Sequence, residues 1–247
     1  MDAWPNRELR EANRRMHEFL DLLGHELRSP LAAIRNALQV LGQQGIDAAM
    51  RENVRGLMER QTQCIGHLID DLQDVSRIEH GKVQLRKQRL DLAQSVARAV
   101  ETVRSSIEKQ GHQLEVFLPQ EPVSVDADPG RLEQILTNLL NNAAKYMEPG
   151  GRIWLTAEAR GGDVVLQVLD TGIGIDPEML PHVFDPFWQV KCARDHSPGG
   201  LGIGLALVRK LVEMHGGSVS ASSPGLGRGS EFVVCFPAHA EMLENSE

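Results

Sequence analysis

A histidine, a glutamate and a proline stand close together at positions 25, 26 and 30. A neighbouring carboxylate such as Glu26 can accept the proton of a reactive imidazole. Pro30 lies inside a strongly helical pattern, where it frees the carbonyl of Glu26 and bends the helix. We interpret the bend as room for another domain to approach His25, although a lone histidine on a helix surface is usually only solvated.

A second polar set follows one face of a predicted helix, "QILTNLLNNAAKY". Asn138, Asn142 and Lys145 lie four and three residues apart and therefore share one side of the helix. Amide oxygens can ligate Mg²⁺ beside phosphates, and a lysine adds a positive charge for phosphate. Taken alone, the pattern also fits an ordinary solvated helix face.

Three glycine-rich segments follow, "DTGIGI", "GGLGIGLAL" and "GLGRGSEF". Glycines in the first allow close backbone approach to a ligand, and the second opens a helix whose free N–H groups favour anions. The third fits a tight connection between strands. None has the spacing of a P-loop. The polar stretch between the first two is typical of a lid over a ligand.

The elements that would position His25 are two long amphipathic helices. One apolar seam repeats every seven residues, and a second follows the short segment "GQQGID"; their members are Leu20, Leu27, Ile34 and Leu41, then Val54, Met58, Gln61, Ile65, Leu68, Leu72 and Val75. The pattern predicts an antiparallel hairpin that pairs with a second copy into a four-helix bundle. A hairpin that serves packing alone, without chemistry, fits the seams equally well. This register puts His25 on the face furthest from the seam.

Beyond Gly81 the pattern changes to interleaved strands and helices. We predict strands at 82–90, 112–119 and 230–236, helices at 92–110, 129–146 and 201–215, and a hairpin at 151–172 that turns at Gly161-Gly162-Asp163. The order has no regular βαβ repeat. It therefore predicts an α+β fold, in which a layered α/β sandwich follows the helical hairpin.

Composition narrows the function further. A net charge of −8 disfavours a broad nucleic-acid or anionic-membrane surface. No apolar run approaches the ~20 residues of a membrane span, and the N-terminus lacks the apolar core of a signal peptide. Cys64, Cys192 and Cys235 match no zinc or disulfide spacing and indicate a reducing compartment. We expect a cytoplasmic chain, or the cytosolic portion of a longer one.

Six ordered motifs, "HELRSPL", "NLLNNAAKY", "DTGIGI", "FDPFWQ", "GGLGIGL" and "GLGRGSEF", resemble the sensor histidine kinases of two-component systems. The resemblance covers about 15–237. It implies a linker helix at 1–15, a dimerisation and phosphotransfer hairpin at 16–81, an ATP-binding domain of the gyrase type at 82–240 and a tail at 241–247. It also implies ATP and Mg²⁺ as cofactors, a homodimer, and a response regulator receiver domain as partner.

The resemblance assigns roles residue by residue. It makes His25 the phosphoacceptor and Glu26 its acid/base partner, while Ser29 stands where many relatives carry a threonine that helps dephosphorylation. Asp170 would accept a hydrogen bond from the adenine amino group, and guanine, which offers an oxygen there, would be rejected. The remaining nucleotide contacts would be Asn142 (on Mg²⁺), Asn138 and Lys145 (on phosphate), Tyr146, Gly172, Gly174, Gly200, Leu201, Gly202, Gly204 and Leu205.

Two other functions share this nucleotide site. A gyrase-type or mismatch-repair-type ATPase needs a carboxylate four residues before the magnesium asparagine, to activate water. Asn138 occupies that position and cannot act as a base. A non-catalytic dimeric scaffold or phosphatase with a vestigial nucleotide site is the other alternative. The stimulus, the response regulator and whether transfer occurs within or between subunits are not encoded in these motifs.

Overall fold

The computed structural model describes residues 4–43, 45–79, 84–188 and 201–237. The chain divides into two compact units: a helical unit of residues 1–76 with 199–201, and a sheet unit of residues 77–198 with 202–247. Across the described ranges, every helix is too short or too polar to cross a membrane.

The helical unit contains α1 (Trp4–Leu41) and α2 (Ala48–Glu79). The side chain of Asp47 accepts the N–H of Met50 at 2.7 Å and thereby caps the start of α2. Partial burial raises the pKa of the Cys64 thiol on α2, and the negative charge of Glu26 on α1 raises it further. The charge of Glu26 on α1 thus acts on a thiol of α2.

Pro30 lies inside α1, which continues through it without interruption. The predicted bend beside His25 stays a prediction, because an unbroken helix and a bent one are compatible. The backbone of His25 belongs to α1, but its side chain lies outside what the structure describes.

In the part of the chain that the structure describes, the sheet unit contains seven strands and three α-helices. The strands are β1 (Gln88–Asp91), β2 (Gln113–Phe117), β3 (Ser124–Ala127), β4 (Arg152–Arg160), β5 (Asp163–Asp170), β6 (Ser218–Ser222) and β7 (Glu231–Pro237). The helices are α3 (Leu92–Lys109), α4 (Pro129–Lys145) and α5 (Gly204–Met214), with a 3₁₀ turn at Leu180–His182. A five-stranded sheet has the order β2-β4-β5-β7-β6, in which β2 is parallel to β4 and all other neighbours are antiparallel. β1 and β3 form a separate antiparallel pair.

Alternate residues of β4, β5 and β7 are buried under the helices, which is the pattern of a sheet covered on one face. α4 contributes the most deeply buried helical stripe, formed by Leu132, Ile135, Leu136, Leu139, Leu140, Ala143 and Ala144. The predicted α+β fold is confirmed, with helices packed on one layer of mixed sheet.

Several predicted boundaries were wrong. The strand predicted at 82–90 occupies 88–91 among the described residues, and α5 begins at Gly204 instead of residue 201. The hairpin turns on Gly161 and Gly162 alone, because Arg160 pairs directly with Asp163. Both glycines have positive φ, as a two-residue turn of this kind demands. β3 and β6 were not predicted, since each is short and rich in serine or aspartate.

The core position of Leu136 gives a stability prediction. Its side chain is fully buried on α4, so Leu136→Ala should lower the free energy of unfolding by about 2–5 kcal/mol through lost burial and a residual cavity. Urea unfolding followed by circular dichroism would measure the change. Asn141 is exposed on the same helix, and Asn141→Ala should stay within about 0.5 kcal/mol of the parent. Equal stability of the two variants would contradict this packing.

Candidate functional site

α4 is the element that carries the asparagine and lysine motif. Asp128 caps its N-terminus by accepting the N–H groups of Gly130 and Arg131 at 3.1 and 3.2 Å, and Pro129 occupies the first turn. The buried stripe described above fixes the rotation of the helix. Its opposite face therefore presents Asn138 and Asn142, both half-buried.

The polar face of α4 meets the start of α5. The amide nitrogen of Asn138 donates to the carbonyl of Gly204 at 3.5 Å. Two turns after Asn138, the ammonium of Lys145 lies 4.8 Å from the ring centroid of Tyr146, in cation–π distance. The motif predicted on one helix face is thus in contact with the glycine segment that opens α5.

Asp170, the last residue of β5, is a buried carboxylate with three hydrogen-bond donors. Its Oδ1 accepts the backbone N–H groups of Gly172 at 2.7 Å and Ser230 at 3.2 Å. Its Oδ2 accepts the hydroxyl of Ser230 at 2.5 Å. Burial raises the pKa of Asp170 above its ordinary value, and the donors from Ser230 and Gly172 counteract part of that rise.

The backbone after Asp170 packs directly on the end of α4. Ile173 donates its N–H to the carbonyl of Tyr146 at 2.9 Å. A Cβ at position 172 would lie 2.4 Å from that carbonyl oxygen, so only glycine fits there. Gly174 has φ of +67°, and a Cβ on it would lie 2.1 Å from the carbonyl oxygen of Gly225. The glycines of "DTGIGI" therefore permit a close contact between backbones.

The connection between β6 and β7 packs against the backbone that follows Asp170. Gly227 and Gly229 donate their N–H groups to the carbonyls of Ile173 and Gly172 at 2.7 and 3.0 Å. The hydroxyl of Ser223 donates to the carbonyl of Gly229 at 2.7 Å and accepts the N–H of Ile175 at 3.0 Å. The segment "GLGRGSEF" is a strand connection, as its sequence indicated, and it also contacts the backbone of "DTGIGI".

The structure brings together most of the residues predicted in the sheet unit. Asp170, Gly172, Gly174 and Tyr146 form one contiguous group, and Asn138 with Gly204 forms the contact between α4 and α5. Leu205 lies in the first turn of α5, and Leu201 and Gly202 lie just before it. Gly200 and Cys192 lie outside the described residues, as does most of the predicted lid. His25, Glu26 and Ser29 belong to the helical unit and are positioned by α1 alone.

Phe184 meets the ring of Phe232 edge-on with centroids 6.3 Å apart and therefore packs against β7.

Ser230 is the functional residue that sequence reasoning missed. It is 60 residues from Asp170, and the pairing of Leu169 with Glu231 brings the two side chains together. No spacing rule along the chain signals such a contact. A serine directly after a glycine-rich turn and before a strand was the single available hint.

The protein ligands available for a metal are neutral amides. Among the described residues, no three His, Cys, Asp or Glu side chains come together as metal ligands. Mg²⁺ commonly keeps several waters and takes few protein ligands beside substrate phosphates. The half-buried amides of Asn138 and Asn142 on one face of α4 fit such a site.

Comparison with known proteins agrees with this geometry. Residues 15–81 match the His Kinase A (phospho-acceptor) domain, and residues 127–240 match the histidine kinase-, DNA gyrase B-, and HSP90-like ATPase family. The circadian input-output histidine kinase CikA of Synechococcus elongatus is 35% identical over 232 residues, which is 92% of this chain and 30% of CikA.

Two solved structures share the fold. The full-length structure of ShkA in complex with AMPPNP is 30% identical, with a TM-score of 0.66 over 90% of this chain and 46% of the ShkA chain. The histidine kinase ThkA, solved in complex with the response regulator protein TrrA, is 22% identical, with a TM-score of 0.62 over 98% of this chain and 68% of that chain. The chain thus spans less than half the length of CikA and of ShkA. With both domain families matched in order, it belongs to the sensor histidine kinases of two-component systems.

Proposed function

We propose that the chain is the kinase portion of a two-component sensor, which transfers the γ-phosphoryl group of ATP to His25 and then to an aspartate of a response regulator. The observation that carries the proposal is the buried carboxylate of Asp170, followed by backbone that packs on the C-terminal end of α4, the helix that carries Asn138, Asn142 and Lys145. ATP use is supported by the matched ATPase family and by the AMPPNP complex of ShkA. The domain limits 1–15, 16–81, 82–240 and 241–247 are part of the proposal.

The hydrogen bonds at Asp170 favour adenine over guanine. An ionised carboxylate offers about four lone pairs, two on each oxygen. Two donors occupy Oδ1, whereas one donor, the hydroxyl of Ser230, occupies Oδ2. One acceptor position therefore remains on Oδ2 for the exocyclic amino group of adenine. The carbonyl oxygen of guanine would face the carboxylate without a proton and would be rejected.

The phosphate end of ATP would lie along α4 and the start of α5. Asn142 would supply an amide oxygen to Mg²⁺, and Asn138 and Lys145 would contact the phosphates. Mg²⁺, when bound, would neutralise phosphate charge and fix the orientation of the γ-phosphoryl group. Lys145 lies over the ring of Tyr146, which holds its ammonium near the end of the helix. Gly172, Gly174, Gly200, Leu201, Gly202, Gly204 and Leu205 would border the nucleotide.

At the helical unit, the neutral imidazole of His25 would attack the γ-phosphorus. An N–P bond forms as the bond between phosphorus and the leaving oxygen of ADP breaks. Glu26, the next residue on α1, would take the proton from the other ring nitrogen. The phosphoryl group would then pass to an aspartate of a receiver domain, and ThkA is a family example solved with a response regulator protein. Ser29, four residues after His25, would assist dephosphorylation of the response regulator.

Exposed apolar residues on the hairpin support a homodimer. Leu20, Leu31 and Leu38 of α1 are 54%, 55% and 54% exposed, and Met50 and Ile69 of α2 are exposed as well. Large aliphatic side chains exposed in a row are costly in water and mark an association surface. A second hairpin packed on this row would complete a four-helix bundle.

An ATPase that activates water fits the site less well. Asn138 stands where such an enzyme needs a carboxylate, and its amide nitrogen donates to Gly204. It offers no basic atom to a water molecule.

The phosphoacceptor assignment predicts the chemistry of the product. Incubation with γ-labelled ATP and Mg²⁺ should label one site as a phosphoramidate, labile in acid and stable in alkali. His25→Gln should remove the label and leave ATP binding unchanged, because Asp170 and the Asn138, Asn142 and Lys145 face of α4 lie in the sheet unit. His182→Gln, at an exposed histidine, is the matched control and should label normally. Alkali-labile label, or full labelling of the His25 variant, would refute the assignment.

The contacts at Asp170 predict graded losses of ATP affinity. Asp170→Asn should weaken binding strongly, since an amide rotamer that presents NH₂ opposes the adenine amino group. Ser230→Ala removes one donor to a charged acceptor and should weaken binding by about tenfold to a hundredfold. Ser230→Thr keeps the hydroxyl and serves as the control. Calorimetry with a non-hydrolysable ATP analogue would measure these affinities.

The contact between Ser230 and Asp170 also predicts how ATP affinity changes with pH. Adenine binding needs the ionised carboxylate, so affinity is lost as pH falls through the pKa of Asp170, which burial already raises. Removing the Ser230 hydroxyl raises that pKa further and should move the acid decline to higher pH. Identical profiles for the parent and Ser230→Ala would show that the hydroxyl does not hold the charge.

The exposed row predicts the association state. Light scattering should give about twice the mass of one chain, and Leu38→Glu should shift the distribution toward monomer because a buried charge at a dimer seam is unpaired. Asn36→Glu, at an exposed position of the same helix that lies well away from the row of Leu31 and Leu38, should leave the dimer intact. A monomeric parent with full histidine labelling would contradict the dimer.

A further inference from the structure

A buried histidine of α5's C-terminal end touches the first turn of α4. His215 is 3% exposed, and its Nε2 accepts the backbone N–H of Asp128 at 3.0 Å. Its Nδ1 lies 2.7 Å from the carbonyl of Leu211 and therefore carries the ring proton. The ring edge packs on Phe236 with centroids 5.7 Å apart. A neutral imidazole in one tautomer satisfies all of these contacts.

Asp128 is the N-cap of α4, so the imidazole of His215 fixes the backbone of the capping residue. The cap carboxylate is itself fully engaged: Oδ1 accepts Gly130 and Arg131, and Oδ2 accepts the N–H of Arg86 at 2.8 Å. Although burial raises the pKa of Asp128, these backbone bonds and the charge of Arg131 outweigh it and bring the pKa below its ordinary value. The carboxylate has its acceptor positions directed at backbone donors rather than at His215.

We propose that His215 is a positioning residue for the nucleotide helix α4, and that ATP binding requires its imidazole to be neutral. The inference deepens the proposed function and rests on it, since the helix that His215 holds carries Asn138, Asn142 and Lys145. A protonated ring would present an N–H to the N–H of Asp128 and would expel the cap from its place. Asn138, Asn142 and Lys145 all lie on the helix that begins at this cap.

Burial, more than the neighbouring charges, opposes protonation of His215. Burial lowers its pKa most, and the ammonium of Lys87, which donates to the carbonyl of His215 at 3.2 Å, lowers it as well. The hydrogen bond to Leu211 and the charge of Asp128 act in the other direction and are weaker. Phe236, on β7, is apolar. The ring is thus neutral near pH 7.

The direction of the pH effect follows from these contacts. A histidine whose pKa is lower in the folded state stabilises the fold above its ordinary pKa of about 6.5. That contribution is lost as pH falls through the lowered pKa. By linkage, ATP binding favours the neutral ring and releases protons when it occurs in that pH window.

Substitution by glutamine separates position from titration. The amide oxygen of His215→Gln reaches about as far as Nε2 and can accept the Asp128 N–H, but it does not titrate. His215→Leu removes the acceptor and leaves the Asp128 N–H buried without its partner. The control is His182→Gln, at an exposed histidine whose ring contacts Asp185.

The experiment is binding of a non-hydrolysable ATP analogue with Mg²⁺ to the full chain between about pH 5.5 and 7.5, by calorimetry in two buffers of different ionisation heat. At the upper pH, His215→Gln should bind within about threefold of the parent, and His215→Leu about tenfold more weakly. At the lower pH, the parent should lose up to about tenfold in affinity beyond any loss seen in His215→Gln. The parent and His182→Gln should release protons on binding that His215→Gln does not.

Two results would overturn the inference. One is an acid decline and a proton release in His215→Gln equal to those of the parent. The other is parental affinity in His215→Leu. If His215→Leu does not fold, the glutamine variant decides by itself. Asp170→Asn distinguishes a failure of the proposed function from a failure of the role of His215. If this variant binds the analogue as tightly as the parent does, the adenine assignment is wrong and the role of His215 is not.

Discussion

A carboxylate that must stay ionised inside an apolar sheet governs the architecture of the nucleotide site. Burying a charge without partners is expensive, and burial does raise the pKa of Asp170. Three donors from Gly172 and Ser230 compensate for the lost water. Those donors can reach the carboxylate only if two loops come within backbone contact of β5. The glycines of "DTGIGI" and "GLGRGSEF" are the residues that permit this approach, because a Cβ at Gly172 or Gly229 would overlap a carbonyl oxygen.

The helix α4 serves both the hydrophobic core and the nucleotide site. α4 buries seven apolar residues on one side, so its rotation is fixed by packing and its amides face outward as a set. Its C-terminal end is fixed as well: the ring of His112 contacts the carbonyl of Ala144 through Nε2 at 3.1 Å and accepts the N–H of Gly151 through Nδ1 at 3.2 Å. Phosphate contacts depend on position within a few tenths of an ångström. A helix anchored at both ends and along its length supplies that precision.

The helical unit follows a different physical rule. Its long helices carry apolar residues in a row that stays about half exposed in one chain. In the proposed homodimer, a second hairpin would bury this row. Pro30 does not interrupt α1, so any effect of the proline on His25 must come from the missing hydrogen bond at Glu26 rather than from a broken helix. Unlike the sheet unit, this part of the chain is organised by a repeat of the sequence.

What the sequence determined is what local periodicity encodes. The heptad seams predicted α1 and α2, and the spacing of Asn138, Asn142 and Lys145 put them on one face of α4, because a helix repeats every 3.6 residues whatever surrounds it. Alternation predicted β4, β5 and β7. Tertiary structure alone decided the rest: the edge strand β6, the bond from Ser230 to Asp170, and the imidazole of His215 behind the cap of α4. Each of these joins residues far apart along the chain, and the strand register or helix packing that brings them together leaves no pattern in the neighbouring residues.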